Sequence, residues 1–338
     1  MNASQLLLRG LLVGCAAIGC AGAAAQAWPA RPIKLIIPLA AGGATDKAAR
    51  LLASRLGDAL GQQVVPENVT GASGEIALKR LATSEPDGYT LGATANSLDT
   101  VAPHMSKLPY DAVNDFTWLG TYASFEYVLV TSASSPVKDL GALLAQARQS
   151  PGSISYGSSG VGTGNHLAGA LLGDVAKAQF NSIPYRGGSP AMIDVVAGRT
   201  DFMFDVIGGA KTLIESGKVK ALATTAKTRT SLLPEVPAVA EMLPGYEATG
   251  WFALIAPATL KPEIVRRLEA EIAKIQRDPA YRQQLEDMGY HAYASDPAEL
   301  RKKISIESVK WQQVVERLPC SIRGTACEAG AAAPKTVQ

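Results

Sequence analysis

The stretch Ile33 to Asp46, IKLIIPLAAGGATD, limits the fold more than any other, because an apolar run passes through a small-residue loop straight into a helical pattern. Ile33, Leu35, Ile36 and Ile37 read as a buried strand, Gly42 and Gly43 allow a tight turn, and Thr45 with Asp46 supplies a helix start. Apolar Ala48, Leu51, Leu52, Leu56, Ala59 and Leu60 then recur on one face until Gly61. Free N–H groups at such a start, reinforced by the helix dipole, favour a negative ligand beyond the strand end. Most strand–loop–helix junctions of α/β proteins bind nothing, so an anion site and a plain junction are both open on this stretch alone. The chain has no Walker-type phosphate loop. Gly160-Val161-Gly162-Thr163-Gly164 also lacks the GxGxxG spacing and the later acidic partner of a dinucleotide fold. A small organic acid fits better than a nucleotide.

Residues 1–27 read as a signal peptide: Arg9 precedes an Ala-rich apolar run, and Ala25-Gln26-Ala27 forms a small-residue cleavage site before Trp28. That run is too short for a membrane span. The expected location is the periplasm, with lipid anchoring at Cys15 or Cys20 as the alternative. The remainder, about 300 residues, exceeds what one core usually holds and predicts two domains. A net charge of +2, with acids and bases interspersed, gives no reason to invoke nucleic acid or a membrane surface. In an oxidising compartment Cys320 and Cys327 are expected to form a disulfide, the alternative being two free thiols. No further Cys or His lies near them to build a metal site. The tail beyond Glu328, AGAAAPKTVQ, is expected to be disordered.

Strand patterns at 33–37, near Val64-Val65, and at 89–94, 125–131, 153–158, 200–204, 219–224 and 251–256 alternate with helical patterns. The helices are expected at 45–60, 75–83, 137–149, 165–173, 189–197, 210–216, 262–276, 279–288 and 297–317. The last three open at Pro262, Pro279 and Pro297, a residue suited to a first helical turn. This is α/β layering. The chain is expected to cross into a second lobe near Phe125 and return near Trp251. One lobe then comprises 28–126 with 251–327, the other 127–250, and 328–338 is the tail. Two Gly-loop helix starts, one per lobe, would face each other across a cleft.

Pro38 to Asp46, LPYDAVNDF at 108–116, HLAG at 166–169, IPYRGGSPAMIDVVAGRTDFMFD at 183–205 and LPEVPAVAEMLPGYEATGW at 233–251 resemble the Bug (TctC-like) extracytoplasmic solute receptors of the tripartite tricarboxylate transporter family. The resemblance runs in order along nearly the whole mature chain. It implies a type II periplasmic binding protein fold, two α/β lobes joined by crossover strands with a ligand cleft between them. It also implies the cargo class, a small organic acid or amino-acid-like ligand, with no cofactor, a monomeric receptor and membrane permease subunits as partners. Carried over by position, Leu39 would pack on the ligand while N–H groups around Gly43, Ala44 and Thr45 hold its carboxylate. Gly162, Thr163 and Asn165 would meet the other end, and Asp205 would contact the ligand and help select its chemistry. Ser97 is a further candidate. Leu39 stands where the family usually has Phe, Ala41 where it has Pro, and Val69-Thr70 where Arg-Pro is usual, so a relative's ligand does not transfer directly.

Each candidate has a plainer reading. Thr45 and Thr163 can be simple helix caps. Asp205 can cap a helix starting near Gly209 rather than face the cleft as an ionised carboxylate. His166 reads as a packed structural residue, and Tyr185 and Arg186 as supports of the turn before Ser189. An enzyme is the main rival to a binder. The three histidines, His104, His166 and His291, are far apart in sequence, and no nucleophile–base motif is present. A receptor docking on a membrane sensor kinase instead of a permease is equally compatible with the sequence.

Overall fold

A computed structural model describes residues 28–317. The predicted signal peptide, the Cys320–Cys327 pairing and the C-terminal tail lie outside these residues. The N-terminal pattern folds as read: strand β1 (Ile33–Ile37) leads into helix α1 (Ala44–Leu60), whose Ala48, Leu52 and Leu56 are buried. Burying each such Leu contributes about 2 kcal/mol. Gly61, in the left-handed region, ends the helix. Strands β2 (Val64–Asn68) and β3 (Thr90–Ala95) flank β1 in parallel. Helix α2 (Glu75–Ala82) lies between β2 and β3 in sequence, and the short helices α3 (Asn96–Thr100) and α4 (Ala102–Met105) follow β3.

Strand β4 (Phe116–Ser132) begins nine residues before the expected start at 125 and serves two sheets. Its first half pairs antiparallel with β9 (Thr249–Pro257), as far as Glu126 with Thr249. From Tyr127 onward its partners are β7 (Phe202–Val206) and β8 (Val219–Thr224), both antiparallel. The early part was illegible for a physical reason. It is nearly all buried, so it lacks an alternating pattern, and Gly120, which reads as a breaker, sits at a shift of register with a positive φ of 128°.

The second sheet continues through β5 (Ile154–Ser158), parallel to both β7 and β6 (Phe180–Pro184). The sequence reading missed β6, a half-exposed edge strand ending in proline. Helix α5 (Leu140–Gln149) starts three residues later than expected because Asp139 caps it, its carboxylate accepting from the Ala142 N–H at 2.8 Å. Helix α6 (Gly164–Ala176) and helix α7 (Gly188–Val196) follow β5 and β6. Helix α8 (Ile207–Glu215) starts directly after β7, not near Gly209. The remaining helices are α9 (Val239–Met242), α10 (Pro262–Arg277), α11 (Pro279–Asp287) and α12 (Pro297–Arg317). Among the described residues, no helix is long and apolar enough to cross a membrane.

The result is two α/β lobes, with the sheets linked through β4 and with β9 returning alongside it. Parallel pairing inside each lobe and antiparallel pairing at the crossing make the whole sheet system mixed. Phe125 on β4 and Phe252 on β9 pack with ring centroids 4.4 Å apart, and Tyr127 meets Phe125 edge-on at 5.3 Å. These rings make an apolar floor where the two lobes meet.

Candidate functional site

Above that floor lies a partly open cavity of about 50 Å³. Leu39, Gly43, Ala44 and Thr45 line it from the β1–α1 junction, Ser97 from α3, and Thr163, Asn165 and Asp205 from the other lobe. Eight of the nine candidates from sequence therefore converge. Gly162 does not: it faces a neighbouring cavity against Met105. Its N–H donates to Nδ1 of His166 at 3.2 Å. Burial lowers the His166 pKa to about 4, so the ring is neutral and serves the loop as an acceptor.

Two helices point their N-termini into this space. The N-cap of α1 is Gly43 and that of α6 is Thr163, and neither helix has a side-chain cap. The alternative that Thr45 caps α1 is corrected: it lies inside the first turn, buried, and lines the cavity. Thr163 occupies the N-cap position, but its hydroxyl turns back on the loop, 2.6 Å from the Gly160 carbonyl and 2.8 Å from Asn165 Oδ1. Asn165 Oδ1 also accepts from the Ser159 N–H at 3.1 Å, and Asn165 Nδ2 donates to Ser159 Oγ at 2.8 Å. With its one proton committed, Thr163 cannot donate to a carboxylate in this arrangement. Ser159 can donate its hydroxyl proton, and Asn165 keeps a second amide proton.

On the first lobe the junction is held by Asp46. Its carboxylate accepts from the Gly42 N–H, from Arg50 Nε and from Asn68 Nδ2, each at 2.9 Å. Burial raises the Asp46 pKa, but the bonds from Arg50, Gly42 and Asn68 outweigh it and the net shift is downward. Asp46 therefore stiffens the loop and is not a ligand group. The first-turn N–H groups of α1 have no intrahelical acceptors and remain directed at the cavity.

Asp205 is the one acidic residue on the wall, and no Lys or Arg lines the cavity. It lies within β7, opposite Val128, and does not cap α8; its Oδ1 accepts from the adjacent Val206 N–H at 2.9 Å. The expectation of a plainly ionised carboxylate is also corrected. Burial raises its pKa to about 7, against weaker lowering by the Val206 N–H and by the charge of Lys47. Tyr127, whose hydroxyl pKa is raised by burial and by Asp205, lies close beside the backbone of Gly164.

Phe125, Tyr127, Phe252, Ser159 and Gly188 also line the cavity and were not singled out as site residues in the sequence. Phe125 and Tyr127 carried a usable signal, since residues two apart on a strand share a face. Ser159 follows the last residue of β5 directly, where strand ends meet a cleft. The lobes touch around the rim: Lys47 Nζ donates to the Gly208 carbonyl at 3.3 Å and Ser189 Oγ to the Ala41 carbonyl at 3.4 Å. The arrangement can hold a small anion by backbone N–H groups and hydroxyls. Among the described residues, no group of three or more His, Cys, Asp or Glu is placed to hold a metal ion.

Comparison with known proteins agrees with this geometry. The family described as "Tripartite tricarboxylate transporter family receptor" (TctC) matches residues 48–319. Protein BugT of Bordetella pertussis is 32% identical over 96% of this chain and 100% of its own length. The structure of Rpa4515 from R. palustris with adipate is 31% identical, covers 86% of this chain and 97% of that one, and superposes with a TM-score of 0.83. MatC from Rhodopseudomonas palustris with bound malate is 29% identical, covers 85% and 99%, and gives 0.81. In sequence along most of its length and in the two-lobed architecture around its cleft, this chain belongs to the TctC (Bug) family of tripartite tricarboxylate transporter receptors.

Proposed function

We propose that the chain is a non-catalytic, periplasmic solute receptor that closes its lobes on a small carboxylate and delivers it to a membrane partner. The observation that carries this reading is the pair of uncapped helix N-termini, at Gly43 and Thr163, directed into one cavity lined by no cationic side chain. A carboxylate supplies the missing acceptors for those N–H groups and meets the positive ends of two helix dipoles. Gly43, Ala44 and Thr45 hold the carboxylate, Leu39 and Ser97 pack beside it, and Ser159, Asn165 and Asp205 face it from the second lobe. Thr163 positions Asn165 and the loop.

The bound adipate and malate of the two structural relatives support a dicarboxylate-type cargo. The family description supports membrane permease subunits as the recipient. A sensor kinase as the docking partner would show as ligand-dependent signalling without uptake. The lobes are taken to move about the point where β4 changes partners, between Glu126 and Tyr127.

The test is a thermal-shift screen of mono-, di- and tricarboxylates and amino acids, followed by small-angle scattering for compaction. Because the folded chain binds and the unfolded chain does not, the right ligand at 100 times its Kd adds about 2.7 kcal/mol of stability. A screen in which no carboxylate raises the Tm, or turnover of a bound acid, would refute the reading.

A further inference from the structure

Leu39 and Ser159 line both the inner cavity, of about 50 Å³, and an outer chamber of about 570 Å³ at the rim between the lobes, so the two spaces adjoin there. One wall of this chamber is the 70–74 loop of the first lobe. The opposite wall is formed by Ser159 to Val161 and by Pro184 to Arg186 of the second.

Arg186 is the one charged residue lining the outer chamber. The backbone fixes its place. The Tyr185 N–H donates to the Ser158 carbonyl at 2.9 Å and the Gly187 N–H to the Ser159 carbonyl at 3.1 Å, so the chain continues β6 alongside the end of β5. Gly187 then packs against Ala40, the neighbour of Leu39. The sequence reading gave Arg186 a role in supporting the turn, but other groups do that work. Tyr185 gives its hydroxyl to Asp194 at 2.7 Å, and Arg199 also pairs with Asp194. Among the described residues Arg186 makes no ion pair, whereas Arg50, Arg80 and Arg229 each face a carboxylate.

We propose that the cleft is two-chambered and takes an elongated α,ω-dicarboxylate. One carboxylate lies on the helix N-termini of the inner cavity, the methylene chain passes Leu39, and the second carboxylate lies in the outer chamber on Arg186. This rests on the carboxylate-receptor reading and adds the shape of the cargo and the residue that measures its length. A guanidinium presents paired N–H donors matched to a carboxylate, and the Leu39 side of the neck suits methylene groups. Because Arg186 is exposed to solvent, its contribution weakens as salt rises.

Calorimetry with matched acids tests the proposal: butyrate against succinate, hexanoate against adipate and octanoate against suberate. The expected result is a preference of about tenfold for the long diacid over the monoacid of equal length, with little preference at the shortest pair. Arg186→Gln should abolish that preference and Arg186→Lys retain part of it. Leu39→Phe, by narrowing the neck, should weaken the long acids more than butyrate. Circular dichroism melts without ligand verify that the variants fold; if Arg186→Gln does not, the salt dependence of the wild-type diacid preference gives the same readout. A wild type without the diacid preference, or one whose preference persists in Arg186→Gln or is insensitive to salt, would overturn the two-chamber inference. If short acids still bind and depend on Thr45, the receptor reading stands and only this inference falls. If no carboxylate of any length binds, both fall.

Discussion

Asp205 brings a carboxyl group into a nearly dry wall with a single backbone N–H donor and a distant lysine as compensation. Its pKa of about 7, raised by burial, makes the site sensitive to pH near neutrality. Below that value the neutral acid can donate a hydrogen bond to a ligand carboxylate; above it the ionised group repels one and favours an ammonium. Affinity for a purely acidic ligand should therefore fall as pH rises from about 6 to 8, and affinity for an amino-bearing ligand should rise. Asp205→Asn should flatten both profiles in calorimetry. The same group acts on the fold. A carboxyl with a raised native pKa gives stability that is full below its unfolded pKa and is lost as pH rises through about 7. The amount at stake is on the order of 4 kcal/mol, so denaturation of the ligand-free protein should show a decline over that window that Asp205→Asn removes. The sequence marked Asp205 as a site residue. Its protonation was not legible there, because burial depends on which strands and helices close around it.

At the scale of elements, the two helix starts look alike in sequence but behave differently. Thr45 contributes no cap to α1, so Thr45→Val should leave the ligand-free Tm nearly unchanged while weakening carboxylate binding by about tenfold, the loss of one hydrogen bond to a charged group. Thr163 holds Gly160 and Asn165, so Thr163→Val should cost about 1–2 kcal/mol of stability in denaturant titrations in addition to affinity. Equal behaviour of the two variants would mean that the loops have been assigned the wrong tasks. The periodic helices α1, α10 and α12 were legible because each keeps an apolar stripe and a clear start, with Gly43 or Pro at the opening. The nearly all-buried β4 and the edge strand β6 were less so, since neither alternates.

The whole molecule depends on the two crossing strands. Gly250 on β9 faces Phe125 of β4 and Oδ1 of Asn96, and a Cβ there would meet both at overlapping distance. Gly250→Ala should therefore destabilise the fold by about 1–3 kcal/mol through overpacking and disturb closure as well. Thermal melts, with scattering in the presence and absence of ligand, read the two effects separately; an unchanged Tm and unchanged compaction would show that the crossing tolerates the methyl group. By itself the sequence determined the α/β class, the order of most elements, the two small-residue loops and eight of the residues that line the cavity. These follow from local periodicity and from the backbone freedom of glycine, which act over a few residues. Only the tertiary structure decided that α1 and α6 have no side-chain caps, that Gly162 turns away while Tyr127 and Ser159 turn in, that Asp205 holds its proton near neutrality and that Arg186 stands at an outer chamber. Solvation and hydrogen-bond supply at each of these groups are set by residues distant in the chain, and those become neighbours only when the lobes meet.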